Sequence, residues 1–272
     1  MLIKNLEDYH RVYADSLRDS DAFWDGVGRD QIQWHKHWLK VSDCDYRTGQ
    51  VQWYLGAELN VSENCLDRHI AAGKGNHKAL IWVGNEPGEE RVLTFNQLYS
   101  EVCRMAHGLE GVGIQKGDRV VIYLPNIPEL AISVLACARI GAIHSVIFGG
   151  FSAHSIRDRV EDCGAKLIIT ANGTYRGTKW IDLKSNVDEA VESGCSTVQS
   201  VVVFNRNSNH PFELKKRDIS WEKFLPASLP IDQFKSFAIS ERKNMPLSKA
   251  GSFDIFLSIL FAKRVKSFKL VA

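Results

Sequence analysis

KGDRVVIYLPNIPELAISVLACARIGAIHSVIFGGFSAHSIRDRVEDCGAKLIIT, residues 116–170, alternates short apolar runs with longer amphipathic ones, and that rhythm decides the fold. VVIYL (Val120 to Leu124) is nearly continuous in apolar residues, as expected of a strand covered on both faces of a parallel sheet. A helix through Ala131, Leu135 and Ala138 follows, then a strand at His144 to Ile147. Ser152 is placed to cap the next helix, which ends near Gly164, and KLIIT (Lys166 to Thr170) is again a strand. Downstream, a helix from about Asp182 to Ser193 leads to VVVF, Val201 to Phe204. Upstream, Ala79 to Val83 reads as a strand and Pro87-Gly88 as the turn after it. Thr94 and Gln97 then make a capping-box pattern before a helix whose Leu98, Val102, Met105 and Leu109 recur at helical spacing, with Gly111 and Gly113 at its end. Strands alternating with helices of this length indicate βαβ units, so the expected fold is α/β with a mainly parallel sheet. In such a sheet, ligands sit beside the loops at the carboxyl ends of the strands.

The flanks read differently. In residues 1–50, Tyr9, Tyr13 and Leu17 recur every four residues on one helical face, and Ser20 with Asp21 offers an N-cap for a second helix through Phe23 and Trp24. These helices are expected to pack onto the domain that follows. After about residue 205 the rhythm fails: NRNSNHPFELKKRD reads as an exposed loop and WEKFLPASLPIDQF as an irregular or partly helical segment.

Composition bounds the possibilities. The 272 residues are 44% hydrophobic and 24% charged, which excludes general disorder, and the formal net charge is +2. That charge is uneven, because residues 241–272 carry seven Lys and Arg against two Asp and Glu. The body before them is mildly acidic and shows no nucleic-acid footprint. Six cysteines lie more than twenty residues apart without a C-x-x-C pair, as expected of reduced thiols in a cytoplasmic protein. The N-terminus lacks the apolar core of a secretory signal, and no run approaches the roughly 20 apolar residues of a membrane span. His35 and His37 have no carboxylate or cysteine at metal-ligand spacing. Neither G-x-S-x-G nor G-x-x-x-x-G-K-[ST] occurs.

Two loops remain as candidates. In FGGFS, Phe148 to Ser152, the paired glycines allow close approach of a ligand and the helix opened by Ser152 offers N–H groups to an anion. The same glycines equally suit a tight strand-to-helix turn. In ANGTYRGTKW, Arg176 and Lys179 flank Gly177 and Thr178, a set able to hold a phosphate by charge and hydrogen bonds. A solvated polar loop is the equal alternative. Both loops leave strands on the expected ligand edge.

WYLGAELNVSENCLDRH (53–69), ALIWVGNEPGEERVLTF (79–95), residues 116–179 and LKSNVDEAV (183–191) resemble the N-terminal part of the acetyl-CoA synthetases, in the superfamily of adenylate-forming enzymes. DSDAFWDG and the tryptophans after it are similar to the helical extension that precedes the adenylating domain of that family. The resemblance runs from about residue 5 to about residue 205. It implies an N-terminal helical extension (1–77), an incomplete βαβ subdomain of the AMP-binding large domain (78–240) and a divergent tail (241–272). It also implies an acetate-CoA ligase in which acetate and ATP, with magnesium, form acetyl-adenylate, and coenzyme A then displaces AMP. On the family pattern, Arg176, Gly177, Thr178 and Lys179 contact the coenzyme A phosphates, and Phe148, Gly149 and Gly150 lie by its adenine.

Against that pattern, the Ser/Thr/Gly-rich ATP loop ending in P-K-G, the Y-x-x-T-E block, the ribose-holding aspartate, the acyl pocket and the C-terminal domain with its lysine are not found in these residues. No catalytic residue is therefore assigned. MPLSKAGSFDIF diverges near residue 247, where the charge balance swings, as a frame change or early end would make it. The expectation is a truncated ligase inactive alone, with ATP and magnesium sites absent and acetate and ATP used only if a second half is supplied. The alternative is a residual coenzyme A-binding module or one half of a split enzyme. A weaker third reading is a membrane-associating tail at Ile255 to Lys269, too short to span a bilayer. A sheet lacking further strands is also expected to expose apolar edges.

Overall fold

Five parallel strands, the three central ones buried on both faces, form the centre of the α/β unit. The structure is a computed structural model that describes residues 3–226 and the backbone of Ile239–Ser240 and Phe268–Leu270. The tail assignment at 241–272, including the apolar run and its frame change, lies outside the described residues apart from that last short strand. The chain divides into two units, one of residues 1–60 with 238–244, which includes the Ile239–Ser240 strand, and the other of residues 61–237 with 245–272.

The first unit opens with helices α1 (Leu6–Arg18) and α2 (Ser20–Gln31), followed by the hairpin β1 (Lys40–Asp45) and β2 (Gln50–Leu55) and the short β3 (Glu58–Leu59). Its core is aromatic. Trp38 and Val41 are buried with Trp24, Trp34, Trp53 and Tyr54 around them. Polar ends of the rings are satisfied: Trp38 Nε1 donates to Asp25 at 2.8 Å, Trp34 Nε1 to the Gly28 carbonyl at 2.9 Å and the Tyr54 hydroxyl to the Trp24 carbonyl at 2.8 Å. Two expectations are corrected here. The N-cap of α2 is Asp19, whose carboxylate accepts from the Ala22 N–H, so Ser20 and Asp21 fall inside the first turn. The Tyr9–Tyr13–Leu17 face is exposed and α1 buries no residue; its two tyrosine rings stack on each other instead.

In the second unit two five-residue π-helical segments, Glu63–Asp67 and Ile70–Lys74, lead to β4 (Lys78–Val83) and β5 (Glu90–Thr94). These two strands form an antiparallel hairpin, so the Ala79–Val83 strand does not belong to the parallel sheet. Helix α3 (Phe95–Gly111) begins with the expected capping box of Thr94 and Gln97, and Leu98, Val102, Met105 and Leu109 are all buried. Then come β6 (Arg119–Tyr123), α4 (Pro128–Ile140), β7 (Ile143–Val146), α5 (Ala153–Cys163) and β8 (Leu167–Ala171). Ser152 caps α5 and Gly164 ends it in the left-handed conformation.

After β8 the chain forms a second hairpin, β9 (Gly173–Arg176) with β10 (Lys179–Asp182), where the sequence suggested only a loop. Helix α6 (Leu183–Glu192) and β11 (Ser200–Phe204) follow as expected. Beyond residue 205 the chain is more ordered than its composition suggests. β12 (Asp218–Ser220) adds a parallel strand to β11, and α7 (Trp221–Phe224) buries Trp221 and Phe224. Lys184 at the start of α6 pairs with Asp218 at 2.8 Å, both buried, which pins this addition in place. Two further strands, β13 (Ile239–Ser240) and β14 (Phe268–Leu270), run antiparallel to β3 and β4 respectively.

The parallel sheet has the order β12-β11-β8-β6-β7. The chain steps from β6 outward to β7, then crosses back to β8 on the other side of β6, a reversal that opens a crevice at the carboxyl ends of neighbouring strands. Residues Val120 to Tyr123 and Ile168 to Thr170 have no exposed surface, which accounts for their unbroken apolar runs. Thr170 is the polar exception, and its hydroxyl donates to the Tyr123 carbonyl at 3.1 Å.

Two buried titratable side chains give this unit testable properties. Arg139 of α4, 1% exposed, makes a bidentate pair with Asp67 at 2.7 and 2.9 Å, reaches the Ser62 hydroxyl and lies over the Tyr99 ring. Asp67→Asn should destabilise the unit by about 3 kcal/mol in urea unfolding, because a guanidinium in the interior loses its counter-charge; a loss under 1 kcal/mol would sink this assignment. Burial also pushes the His144 imidazole of β7 down to about 4. The folded chain then holds His144 neutral while the unfolded chain takes up a proton below pH ~6.5. Stability is fully present above that pH and falls through the window down to about pH 4, by roughly 3 kcal/mol in total. His144→Gln should flatten that part of the urea-midpoint profile between pH 7 and pH 4.5.

Candidate functional site at the carboxyl edge of the sheet

Three segments leave the carboxyl ends of adjacent or near-adjacent strands: Phe148–Ser152 after β7, the β9–β10 hairpin after β8, and Asn205–His210 after β11. Sequence reasoning selected the first two. The third was read as an exposed loop, yet it packs directly on the second.

Asn172, between β8 and β9 and 2% exposed, organises this edge. Its Nδ2 donates to Asn205 Oδ1 at 3.1 Å and to the carbonyls of Asn207 at 2.9 Å and His210 at 3.0 Å, while its Oδ1 accepts the Arg206 N–H at 2.9 Å. Its backbone N–H donates to the Phe204 carbonyl and its carbonyl accepts from Leu183 N–H. The loop after β11 is thereby bent against the hairpin. Aromatic contacts continue the junction: the Trp180 and His210 rings stack at 3.9 Å and 6°, and the Tyr175 ring meets Trp180 edge-on. Tyr175 also shares a 3.2 Å hydrogen bond with His210 Nε2, and Asn207 Nδ2 donates to the Tyr175 hydroxyl at 3.0 Å. Residue 173 is glycine because a Cβ there would meet the Trp180 ring at 2.3 Å.

At the hairpin tip, Arg176 and Lys179 are register partners and both are exposed. Gly177 and Thr178 make the turn between them, with Gly177 at φ +60°. The Gly177 carbonyl accepts from Asn85 Nδ2 at 3.2 Å, so the turn between β4 and β5 props the tip. Beside it lies a polar pocket of about 330 Å³ lined by Glu86, Glu89, Tyr175, Thr178, Arg206 and Asn207. Of these only Thr178 was named from the sequence. Arg206 and Asn207 carry no recognisable motif; the one signal that could have found them is their position immediately after β11 on the same edge.

The Phe148–Ser152 loop is tied down separately. The buried Tyr123 hydroxyl, at the carboxyl end of β6, donates to the Phe151 carbonyl at 2.8 Å and accepts from the Gly150 N–H and from Asn186 Nδ2 of α6, each at 3.3 Å. Gly150 sits at φ +137°, a conformation that disfavours any side chain. Phe148 and Phe151 are exposed, with their rings in edge contact. Among the described residues no hydrogen bond joins this loop to the hairpin tip; the link runs through Tyr123 and Asn186 into α6, which continues the hairpin.

Among the described residues no group of three His, Cys, Asp or Glu side chains could hold a metal ion. All six cysteines are unpaired thiols. Burial pushes Cys65 up to about 11 and Cys137 up to about 12, so these thiols are not poised as nucleophiles. No helix among the described residues is long and apolar enough to cross a membrane.

Comparison with known families places this unit and the one before it. Residues 67–240 match the family model of the AMP-binding enzymes, and the chain belongs to that family. Residues 9–65 match the model described as the acetyl-coenzyme A synthetase N-terminus. Its similar curated relatives are acetyl-coenzyme A synthetases. That of Pseudomonas putida is 46% identical over 213 residues, 78% of this chain and 33% of the relative. That of Rubrobacter xylanophilus is 45% identical over 219 residues, 80% and 33% respectively. Among solved structures, the acetoacetyl-CoA synthetase from Streptomyces lividans superposes with a TM-score of 0.72 at 25% identity, covering 88% of this chain and 35% of that one. The chain thus spans about a third of the length of the curated relatives it matches, and what it shares with them is their N-terminal portion.

The Asn172 junction predicts a local effect. Asn172→Ala strands several buried donors and acceptors at once, each worth on the order of 1–3 kcal/mol. The expected outcome is a loss of about 3 kcal/mol in unfolding free energy and faster hydrogen exchange at residues 173–182 and 205–210, with β6 amides unchanged. Uniform loss of protection across the sheet would contradict a local role.

Proposed function

We propose that this chain carries the coenzyme A-handling edge of an AMP-forming acetate-CoA ligase. In that reaction acetate attacks the α-phosphorus of ATP to give acetyl-adenylate and pyrophosphate. The coenzyme A thiol then adds to the acyl carbonyl, and AMP leaves with its phosphate oxygen. In this reading residues 1–77 are the helical extension, residues 78–240 part of the adenylating domain and residues 241–272 a divergent tail. A cytoplasmic location goes with it.

The observation that carries the reading is the hairpin tip. Arg176 and Lys179 project as neighbouring exposed cations on either side of a glycine turn, on the edge where sheets of this topology bind ligands. Two cations with backbone N–H groups between them suit the phosphates of coenzyme A, through charge-assisted hydrogen bonds of the stronger kind. The exposed Phe148 ring and the Gly149-Gly150 backbone suit its adenine, by stacking and close approach. The relatives named above support acetate as the acyl group. Among the described residues no three His, Cys, Asp or Glu side chains gather to hold magnesium.

A second, more limited reading follows from the same tip: the chain alone binds coenzyme A without adenylating acetate. Two measurements separate the readings. Calorimetric titration with coenzyme A should show binding that Arg176→Ala weakens at least fivefold; equal affinities would remove the tip from the site. Incubation of the chain with acetate, ATP, magnesium and coenzyme A should yield no acetyl-CoA, and any catalytic turnover would overturn the view that this polypeptide does not adenylate by itself.

A further inference from the structure

The polar pocket beside the hairpin contains a cation that neither the sequence motifs nor the coenzyme reading uses. Arg206 is half-buried at the carboxyl end of β11. Its Nη1 donates to Thr174 Oγ1 at 2.6 Å, and its backbone N–H is held by Asn172. Among the described residues its guanidinium has no carboxylate within ion-pair distance, and its Nε and Nη2 have no hydrogen-bond acceptor. Glu89 and Glu129 compensate its charge only at longer range, without direct contact, so part of the guanidinium fork stays free to donate to an anion. Burial nonetheless lowers its pKa from the ordinary value, although the group stays charged.

The surroundings are those of an acceptor site. The Tyr175 hydroxyl, the Asn207 carboxamide and Thr178 line the same pocket, and all can donate to an oxyanion. Two carboxylates also line it. Glu89 is committed to the turn between β4 and β5, where its Oε2 accepts the N–H groups of Asn85 at 2.8 Å and Glu86 at 3.4 Å. Glu86 Oε1 accepts from Asn85 Nδ2 at 2.7 Å. Both remain among the pocket's lining residues, where their charge weakens the hold on a small free anion without abolishing it, whereas a longer ligand can meet Arg206 with one phosphate while the tip cations hold another.

We propose that Arg206, with Tyr175, Asn207 and Thr178, forms a phosphate-binding subsite beside the hairpin tip. It rests on the coenzyme reading only for the identity of the ligand; the anion chemistry stands on the geometry of the pocket. Coenzyme A carries two sources of phosphate, its 3′-phosphomonoester and its pyrophosphate bridge.

The test titrates the full chain calorimetrically with inorganic pyrophosphate, coenzyme A and dephospho-coenzyme A. Arg206→Gln should weaken pyrophosphate and coenzyme A at least tenfold, and Arg206→Lys should recover most of that loss. Glu86→Gln should tighten pyrophosphate severalfold by removing its repulsion. If Arg206→Gln weakens coenzyme A but not dephospho-coenzyme A, the monoester occupies the pocket; if it weakens both alike, the bridge does. Thr174→Val removes the internal partner of Arg206 and should leave binding within threefold. Equal losses in Thr174→Val and Arg206→Gln would assign Arg206 to hairpin support and overturn the proposal. Unchanged pyrophosphate affinity in Arg206→Gln would also overturn it. Should wild type bind pyrophosphate through Arg206 but not coenzyme A, the coenzyme reading fails while the anion subsite holds. Should it bind neither, both fail.

Discussion

The carboxamide of Asn172 is the constraint on which the ligand edge depends. A backbone leaving a buried parallel strand has to satisfy its polar groups while it turns, since each one left unpaired costs on the order of a kilocalorie or more. Here one side chain meets that requirement for two segments together. It uses both Nδ2 hydrogens and Oδ1, and its own backbone groups bond to Phe204 and Leu183. The hairpin and the loop after β11 consequently share one geometry. The tip cations, Thr178 and Arg206 gain their relative positions from this junction rather than from contacts among themselves.

Beneath it lies a rigid floor. β6, β8 and β11 are covered on both faces, and their register places Tyr123 opposite Thr170 and Phe204 opposite Ala171, so the strands end in near alignment. Close-packed interiors transmit position rather than absorb it. Loops that start from such aligned ends inherit their spacing from the sheet, and the reversal between β7 and β8 leaves a crevice among them. Tyr123 serves both levels: its backbone belongs to the floor, and its hydroxyl fixes the glycine loop and reaches α6.

The sequence was legible where one physical requirement dominated. Two-sided burial leaves unbroken apolar runs, so VVIYL, KLIIT and VVVF identified the parallel strands, and the Thr94–Gln97 box identified the start of α3. It was less legible where partners come from distant residues. Nothing local distinguishes β9–β10 from a polar loop, because its pairing is completed by the Trp180–His210 stack and by Asn172. NRNSNH has the composition of a solvated turn, and its order derives from receiving those contacts. The Ala79–Val83 run was correctly a strand, but apolar content alone does not reveal that β5, not the parallel sheet, is its partner. At the other end, helical spacing placed Tyr9, Tyr13 and Leu17 on one face, yet periodicity carries no information about whether that face is covered.

Charge on the ligand edge divides by depth. Arg176 and Lys179 stand in water, where attraction to an anion is long-ranged, screened by salt and tolerant of position. Arg206 stands half-buried in a fixed hydrogen-bonded frame, where an interaction is stronger, shorter-ranged and strict about geometry. A ligand with phosphates at two separations can exploit both, captured by the tip and sorted by the pocket. All the polar contacts that shape this arrangement come from residues between Asn85 and His210 of a single unit. The phosphate contacts proposed for the tip and the pocket thus draw on a single unit.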